Sequence, residues 1–210
     1  MGWLRFQIAR LLGKDTVLAR SATPQADLFA ELRGKQVALV GNARSLGLTA
    51  FGPAIAGADI VIRLNAAPMP AAASHGTRTD WIALSTPIPP ATLAERAPNR
   101  VLWMTPKRKR LPHALATRSG FYLHPAPDHA ALSATLHSRP TTGLMMIDLL
   151  ARSPASRIDL FGFDFFASQS LSGGRTAAQV PHDFATERGF VEALVARDPR
   201  FCLNTPPRAA

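Results

Sequence analysis

Three sets of polar residues have types and spacing that could do chemistry. Asn42 closes an apolar run at residues 37–40 by way of Gly41, and Asn65 follows a second, β-branched run at 59–63. Two amides at neighbouring strand ends, each with donors and an acceptor, suit a neutral hydrogen-bonding ligand such as a pyrimidine and its ribose. Gly41 lets the backbone turn sharply and come close to such a ligand. Next, Pro140-Thr141-Thr142-Gly143 opens a helix. Hydroxyls there cap the first turn while free N–H groups and the helix dipole favour a phosphate, although an ordinary capped helix reads the same way. Last, His182 stands five residues before Glu187 at the entry to another helix; taken alone, such a histidine is a cap or a surface residue. No Asp-x-Asp pair occurs. Charge on a departing phosphate therefore falls to N–H groups, hydroxyls and basic side chains, and no metal is expected.

The elements that must position these groups are legible as alternating apolar runs. Strands are expected at residues 37–40, 59–63, 80–85, 100–105, 120–124 and 157–162. Helices are expected at 26–33 and 128–138, from Gly143 through LMMIDLLARS, and under the stripe Phe190, Val191, Leu194 and Val195. This order predicts one α/β domain, a mainly parallel, Rossmann-like sheet with helices on both faces. Ligands of such sheets bind at the carboxyl edge of the strands. A chain of 210 residues is long enough for one such domain and too short for two. We divide it into a leader and helix at 1–33 and the domain proper at 34–210.

With 47% hydrophobic and 18% charged residues the chain is globular rather than disordered. Its net charge of +10 and pI of about 11.3 call for an anionic partner: nucleic acid, an acidic membrane surface, or an anionic glycan or nucleotide. The basic run 107–110 carries no interleaved aromatic, which argues against nucleic acid. That run fits an anionic acceptor, a membrane headgroup or a solvated loop. Residues 1–14 alternate apolar and basic types, as in a helix lying on an anionic membrane or one packed on the domain. The lone Cys202 rules out an intrachain disulfide and suits a reducing compartment. No apolar stretch is long enough to span a bilayer, and the first residues lack the pattern of a signal peptide.

Taken in order, the motifs resemble those of the family-29 sialyltransferases. The large sialyl motif is matched by Val40-Gly41-Asn42, Phe51-Gly52-Pro53-Ala54-Ile55 and Arg63-Leu64-Asn65-Ala66-Ala67-Pro68, with Gly76-Thr77-Arg78-Thr79 beyond it. The small motif is matched by Pro140-Thr141-Thr142-Gly143 and the strand end Phe161-Gly162-Phe163, and the very short motif by His182 and Glu187. The resemblance spans residues 36–196 and implies a GT-A-like variant fold. It implies inverting transfer of sialic acid from CMP-sialic acid to a glycan or glycolipid hydroxyl, releasing CMP, with neither metal nor cofactor. Gly41, Asn42, Asn65, Thr141, Thr142 and Gly143 inherit the donor nucleotide, His182 the role of general base, and Glu187 a positioning role.

Two departures accompany the resemblance. The cysteines that bridge the large and small motifs of animal members are absent, which implies a bacterial-type, cytoplasmic enzyme. The family's His-Tyr motif is also absent: residues 165–180 contain neither His nor Tyr. Arg175, or His124 with Tyr122, are the candidates to assist the leaving phosphate. Two other readings stand beside the first. One is transfer of another CMP-activated acidic sugar such as Kdo; the other is a catalytically silent protein that binds nucleotide or polyanion.

Overall fold

The computed structural model describes residues 1–66, 68–165 and 182–206. Among the described residues there are seven strands: β1 (Gln36–Val40), β2 (Ile60–Leu64), β3 (Trp81–Leu84), β4 (Arg100–Trp103), β5 (Phe121–Leu123), β6 (Arg157–Phe161) and β7 (Phe201–Asn204). They form one sheet in the order β5-β4-β3-β2-β1-β6-β7, every pair parallel. The helices are α1 (Trp3–Leu11), α2 (Asp15–Leu18), α3 (Gln25–Leu32), α4 (Gly52–Gly57), α5 (Ala72–His75), α6 (Pro90–Arg96), α7 (His113–Ala116), α8 (Ala126–Leu136), α9 (Thr142–Ala151) and α10 (Phe184–Arg197).

Strand residues alternate between two cores, because successive side chains point to opposite faces. Val37 and Leu39, Ile62 and Leu64, Trp81 and Ala83, Leu102 and Met104, and Ile158 and Leu160 enter one core. Leu28 and Leu32 of α3, Leu132 and Leu136 of α8, most of α9, and Val191 and Leu194 of α10 cover it. Ala38, Val40, Val61 and Phe161 point the other way, toward Ile55 of α4. Ile82, Leu84, Val101 and Trp103 share that second face with Phe6, Leu18 and Leu115 of α1, α2 and α7. Burial on both sides explains why the strands read as continuous apolar runs. The expected α/β architecture is therefore present, with a sheet that is parallel throughout.

Chain order fixes where a ligand can enter. The chain moves outward from β1 to β5, crosses back through α8 and α9, and inserts β6 on the other side of β1. The carboxyl ends of β1 and β6 are thus the topological switch point of the sheet. Strand β7 was not anticipated from the sequence. Its residues FCLN are short and half-buried beyond Phe201, so no apolar run marks them.

Candidate active site

Glycine is required at position 41 because β1 and β6 converge there. A Cβ on Gly41 would lie 2.4 Å from the Gly162 carbonyl oxygen, and its N–H donates to the Phe161 carbonyl at 2.7 Å. The close approach that Gly41 serves in the structure is thus to β6. Asn42 then reaches sideways, its Nδ2 donating to the Leu64 carbonyl at the end of β2 at 3.0 Å. Asn65 follows β2 in the left-handed region, φ 52°, which asparagine tolerates better than most residues. Its Oδ1 accepts the Ser85 N–H at 3.1 Å, just past β3. Each asparagine so ties two strand ends together, and the Nδ2 donors of Asn65 have no partner among the described residues.

Arg63 is why the second asparagine sits where it does. Fully buried, its guanidinium donates to the carbonyls of His75 at 2.7 Å and Arg78 at 2.9 Å and to the Thr79 hydroxyl at 3.1 Å. Burial, with Arg96 nearby and only Asp80 opposing, lowers its pKa to about 10. The Gly76 to Thr79 segment therefore serves as a socket for Arg63. Sequence reading noted both pieces and missed that one holds the other.

The N-terminus of α9 arrives over these strand ends. Gly143 permits it: a Cβ there would be 2.8 Å from the Phe163 ring and 3.4 Å from Leu64. The Thr142 hydroxyl donates to Ser85 Oγ at 2.7 Å, which links the helix to β3. Ser85 was not singled out from the sequence, and a lone serine at a strand end carries no signal there. Thr141 caps the helix, its hydroxyl oxygen accepting the Leu144 N–H at 3.1 Å. That hydroxyl donates to Glu187 Oε2 at 2.7 Å and the Thr141 N–H donates to Oε1 at 2.6 Å. Both donors of Thr141 are thereby committed to the protein's own carboxylate. A phosphate is left with the first-turn N–H groups of Thr142 and Gly143. Glu187 is 3% exposed, and burial outweighs the two Thr141 hydrogen bonds to push its pKa up to about 7.

His182 lies just ahead of α10, whose N-cap is Asp183, with the Asp183 carboxylate accepting the Thr186 N–H at 3.0 Å. The ring's Nδ1 is 2.7 Å from the Arg139 carbonyl oxygen. A carbonyl only accepts, so Nδ1 carries the proton and Nε2 presents its lone pair. Burial lowers the His182 pKa below its ordinary value, the Arg139 bond opposes this, and the charges of Arg139 and Lys107 lower it further. Lys107 is itself lowered, by lost hydration and by Arg139 and Arg110. Two cations without a carboxylate partner among the described residues thus stand near this histidine. Arg139 was missed from the sequence because Ser138-Arg139 reads as an ordinary surface turn.

The remaining candidates lie apart or outside view. Tyr122 lies on β5 at the edge of the sheet and His124 just past its end; the Tyr122 hydroxyl donates to Gln25 Oε1 at 3.1 Å. His124 is buried, both ring nitrogens lack partners among the described residues, and burial brings its pKa down to about 4. No hydrogen bond among the described residues joins either one to His182 or Thr141. Arg175, Ala67, Pro181 and most of the segment lacking a His-Tyr motif lie outside the described residues. Among the described residues, no group of three His, Cys, Asp or Glu side chains could hold a metal ion.

No protein-family model matches the sequence, and no curated protein matches it. Among solved structures, the chain is similar to a mammalian sialyltransferase in complex with Gal-beta-1-3GalNAc-ortho-nitrophenol. Its TM-score is 0.67 at 16% identity, covering 98% of this chain and 84% of that one. It is also similar to the sialyltransferase CstII from Campylobacter jejuni in complex with cytidine-5'-monophosphate. There the TM-score is 0.57 at 15% identity, covering 83% and 81%. A structure of CST-II with a trisaccharide acceptor and CMP gives a TM-score of 0.52 at 14% identity, covering 82% of each chain. The chain has the sialyltransferase fold.

Proposed function

We propose that this protein is a sialyltransferase, moving sialic acid from CMP-sialic acid to a glycan hydroxyl with inversion and without a metal. The observation that carries the reading is that the end of β2 at Asn65, the open first turn of α9 and a histidine whose Nε2 has no partner among the described residues are tied together through Ser85, Thr142 and Arg139. That the similar structures were crystallised with CMP and with a trisaccharide acceptor supports a CMP-sugar donor and a glycan acceptor. Gly41, Asn42 and Asn65 hold the nucleoside. Thr142 and Gly143 offer N–H groups to the phosphate. Thr141 acts through Glu187 to fix the helix rather than through the phosphate.

In the chemical step, His182 Nε2 takes the proton from the acceptor hydroxyl as the oxygen attacks the anomeric carbon. The bond to the CMP oxygen breaks on the opposite face, through an oxocarbenium-like state. Lys107 and Arg139 supply positive charge to the donor's carboxylate and the departing phosphate, in the place where the family's His-Tyr motif is wanting. The lone Cys202 fits a cytoplasmic setting. The nucleotide contacts equally suit another CMP-activated acidic sugar such as Kdo, so the donor sugar is the point to test.

The test is CMP release from CMP-sialic acid, with CMP-Kdo in parallel, in EDTA and with candidate galactosides as acceptors. Acceptor-dependent release from CMP-sialic acid in EDTA is expected. Release from CMP-Kdo alone would replace the donor, a requirement for magnesium or manganese would end the metal-free mechanism, and no release from either donor would reject transfer.

A further inference from the structure

Helix α1 packs through one face only. Phe6 and Ala9 are buried at 0% and 2% exposure against the second core. At 100° per residue, Leu4, Ile8 and Leu11 lie on the opposite side of the helix, yet they are 67%, 51% and 56% exposed. Leu12 and Trp3 flank them at 65% and 61%. A helix apolar on the side away from its core has something else to cover it. The charge around it says what. Arg5, Arg10, Lys14 and Arg20 surround the stripe, and Asp15 is the first acidic residue of the chain.

That carboxylate is already committed. Asp15 accepts both Nε and a terminal nitrogen of Arg108 at 2.8 and 2.7 Å, and Arg108 in turn donates to the Thr105 and His124 carbonyls. The same turn, Arg108–Arg110, packs beside α1, where Arg10 donates to the Leu111 carbonyl at 3.4 Å. Lys109 and Arg110 stay exposed there. The remaining neighbour, α7, carries only His113, bonded to the Met1 carbonyl. The rim of the apolar stripe is therefore cationic on α1 itself and on the 108–110 turn, while α2 adds only Asp15, paired with Arg108, and α7 only His113. A nine-residue helix is about 14 Å long, too small a face for the ~800 Å² per partner of a stable dimer.

From the outward stripe Trp3, Leu4, Ile8, Leu11 and Leu12 and its cationic rim, we infer that this protein docks on an anionic lipid bilayer through α1. The apolar side chains enter the interface while Arg5, Lys14, Lys109 and Arg110 meet lipid headgroups. This docking goes beyond the transferase reading and does not depend on it. If that reading holds, Arg108 makes the link between the two, since it joins the docked leader to the carboxyl end of β5. Glycans carried on lipids would then be presented at the edge where His182 lies.

The experiment uses the full chain and no sugar nucleotide. Co-sedimentation is measured with vesicles of phosphatidylcholine alone and with 30–40% phosphatidylglycerol, about a third anionic lipid as in a strongly charged surface. Tryptophan emission is followed in parallel: Trp81 and Trp103 are buried, so a blue shift reports Trp3. Binding and a blue shift with anionic vesicles are expected, weakened by salt and absent with neutral ones. Ile8→Asp, at an exposed position that leaves the fold intact, should cut partition at least tenfold. Lys109→Ser with Arg110→Ser should lower it roughly fivefold per charge removed. No binding to anionic vesicles, equal binding to neutral ones, or a dimer in sedimentation that Ile8→Asp dissolves would each overturn the inference.

Discussion

Because a carbonyl can only accept, Arg139 decides which nitrogen of His182 is available, and the consequence is a pH profile. The His182 pKa lies below its ordinary 6.5, through burial first and the Arg139 and Lys107 charges after the opposing hydrogen bond. The ring therefore stays neutral to lower pH than an ordinary histidine, and on the proposed reading of His182 as the base kcat/KM should fall on the acid side with an apparent pKa below 6.5. An acid limb above 6.5 would mean that these cations do not act on the base. The asparagines give a second expectation. Removing a buried polar partner costs roughly 1 to 3 kcal/mol, so Asn42→Ala and Asn65→Ala should each weaken CMP binding by about 5- to 150-fold in calorimetry. Unchanged affinity in both would put the nucleotide elsewhere. At this scale the amides, the Thr141 and Thr142 hydroxyls and His182 stand out in the sequence by type and order. It does not announce Arg139 or Ser85, whose parts arise from a backbone carbonyl and a crossing hydroxyl that only the fold brings near.

Between elements, the Glu187 carboxylate clamps α10 to the first turn of α9. Its placement on the first turn of α10 was readable, and a positioning role was expected, but its partner forty-six residues away was not. Burial raises the Glu187 pKa to about 7, above its ordinary 4.5, so the folded protein holds a proton that the unfolded chain has lost between those values. The stability from this group is complete below about pH 4.5 and is lost as pH rises through about 7. Glu187→Gln keeps one acceptor for the Thr141 N–H and one amide for its hydroxyl, so it should flatten the stability profile between about pH 4.5 and about pH 7 in thermal melts. A profile as steep as wild type would place the titrating group elsewhere. The strands were legible because each is buried on both faces; β7, short and half-exposed, was not. The entry to α9 was legible from Pro140 to Gly143. The reason for Gly143, a ring and a leucine pressed against its Cα, is tertiary.

For the molecule as a whole, continuous apolar runs separated by helical stretches were enough to specify a mainly parallel sheet with covered faces. Charge was less transparent. The basic run at 107–110 reads as one solvated block, yet Arg108 is 4% exposed and bonded to Asp15, Thr105 and His124. Nothing in four consecutive basic residues marks the second as a tether, since that depends on where α2 packs. Arg108→Ala should cost about 1.5 to 3 kcal/mol in chemical denaturation, the scale for losing hydrogen bonds to a charged group, while Lys109→Ala stays within about 0.5 kcal/mol. Equal effects would mean the leader is not held by this residue. Among the described residues, no helix is long and apolar enough to cross a membrane.

The central claim is that nucleotide binding and proton removal belong to one site with separate residues. It is tested most directly by measuring CMP affinity and transfer from CMP-sialic acid side by side in wild type and His182→Ala. In His182→Ala a CMP Kd close to wild type is expected, with turnover reduced by roughly 10² to 10⁴, the range for losing a general base. His124→Ala, past the end of the edge strand β5, should retain most activity if the fold is intact. A His182→Ala variant that transfers at the wild-type rate, or a wild-type protein that does not bind CMP, would contradict it.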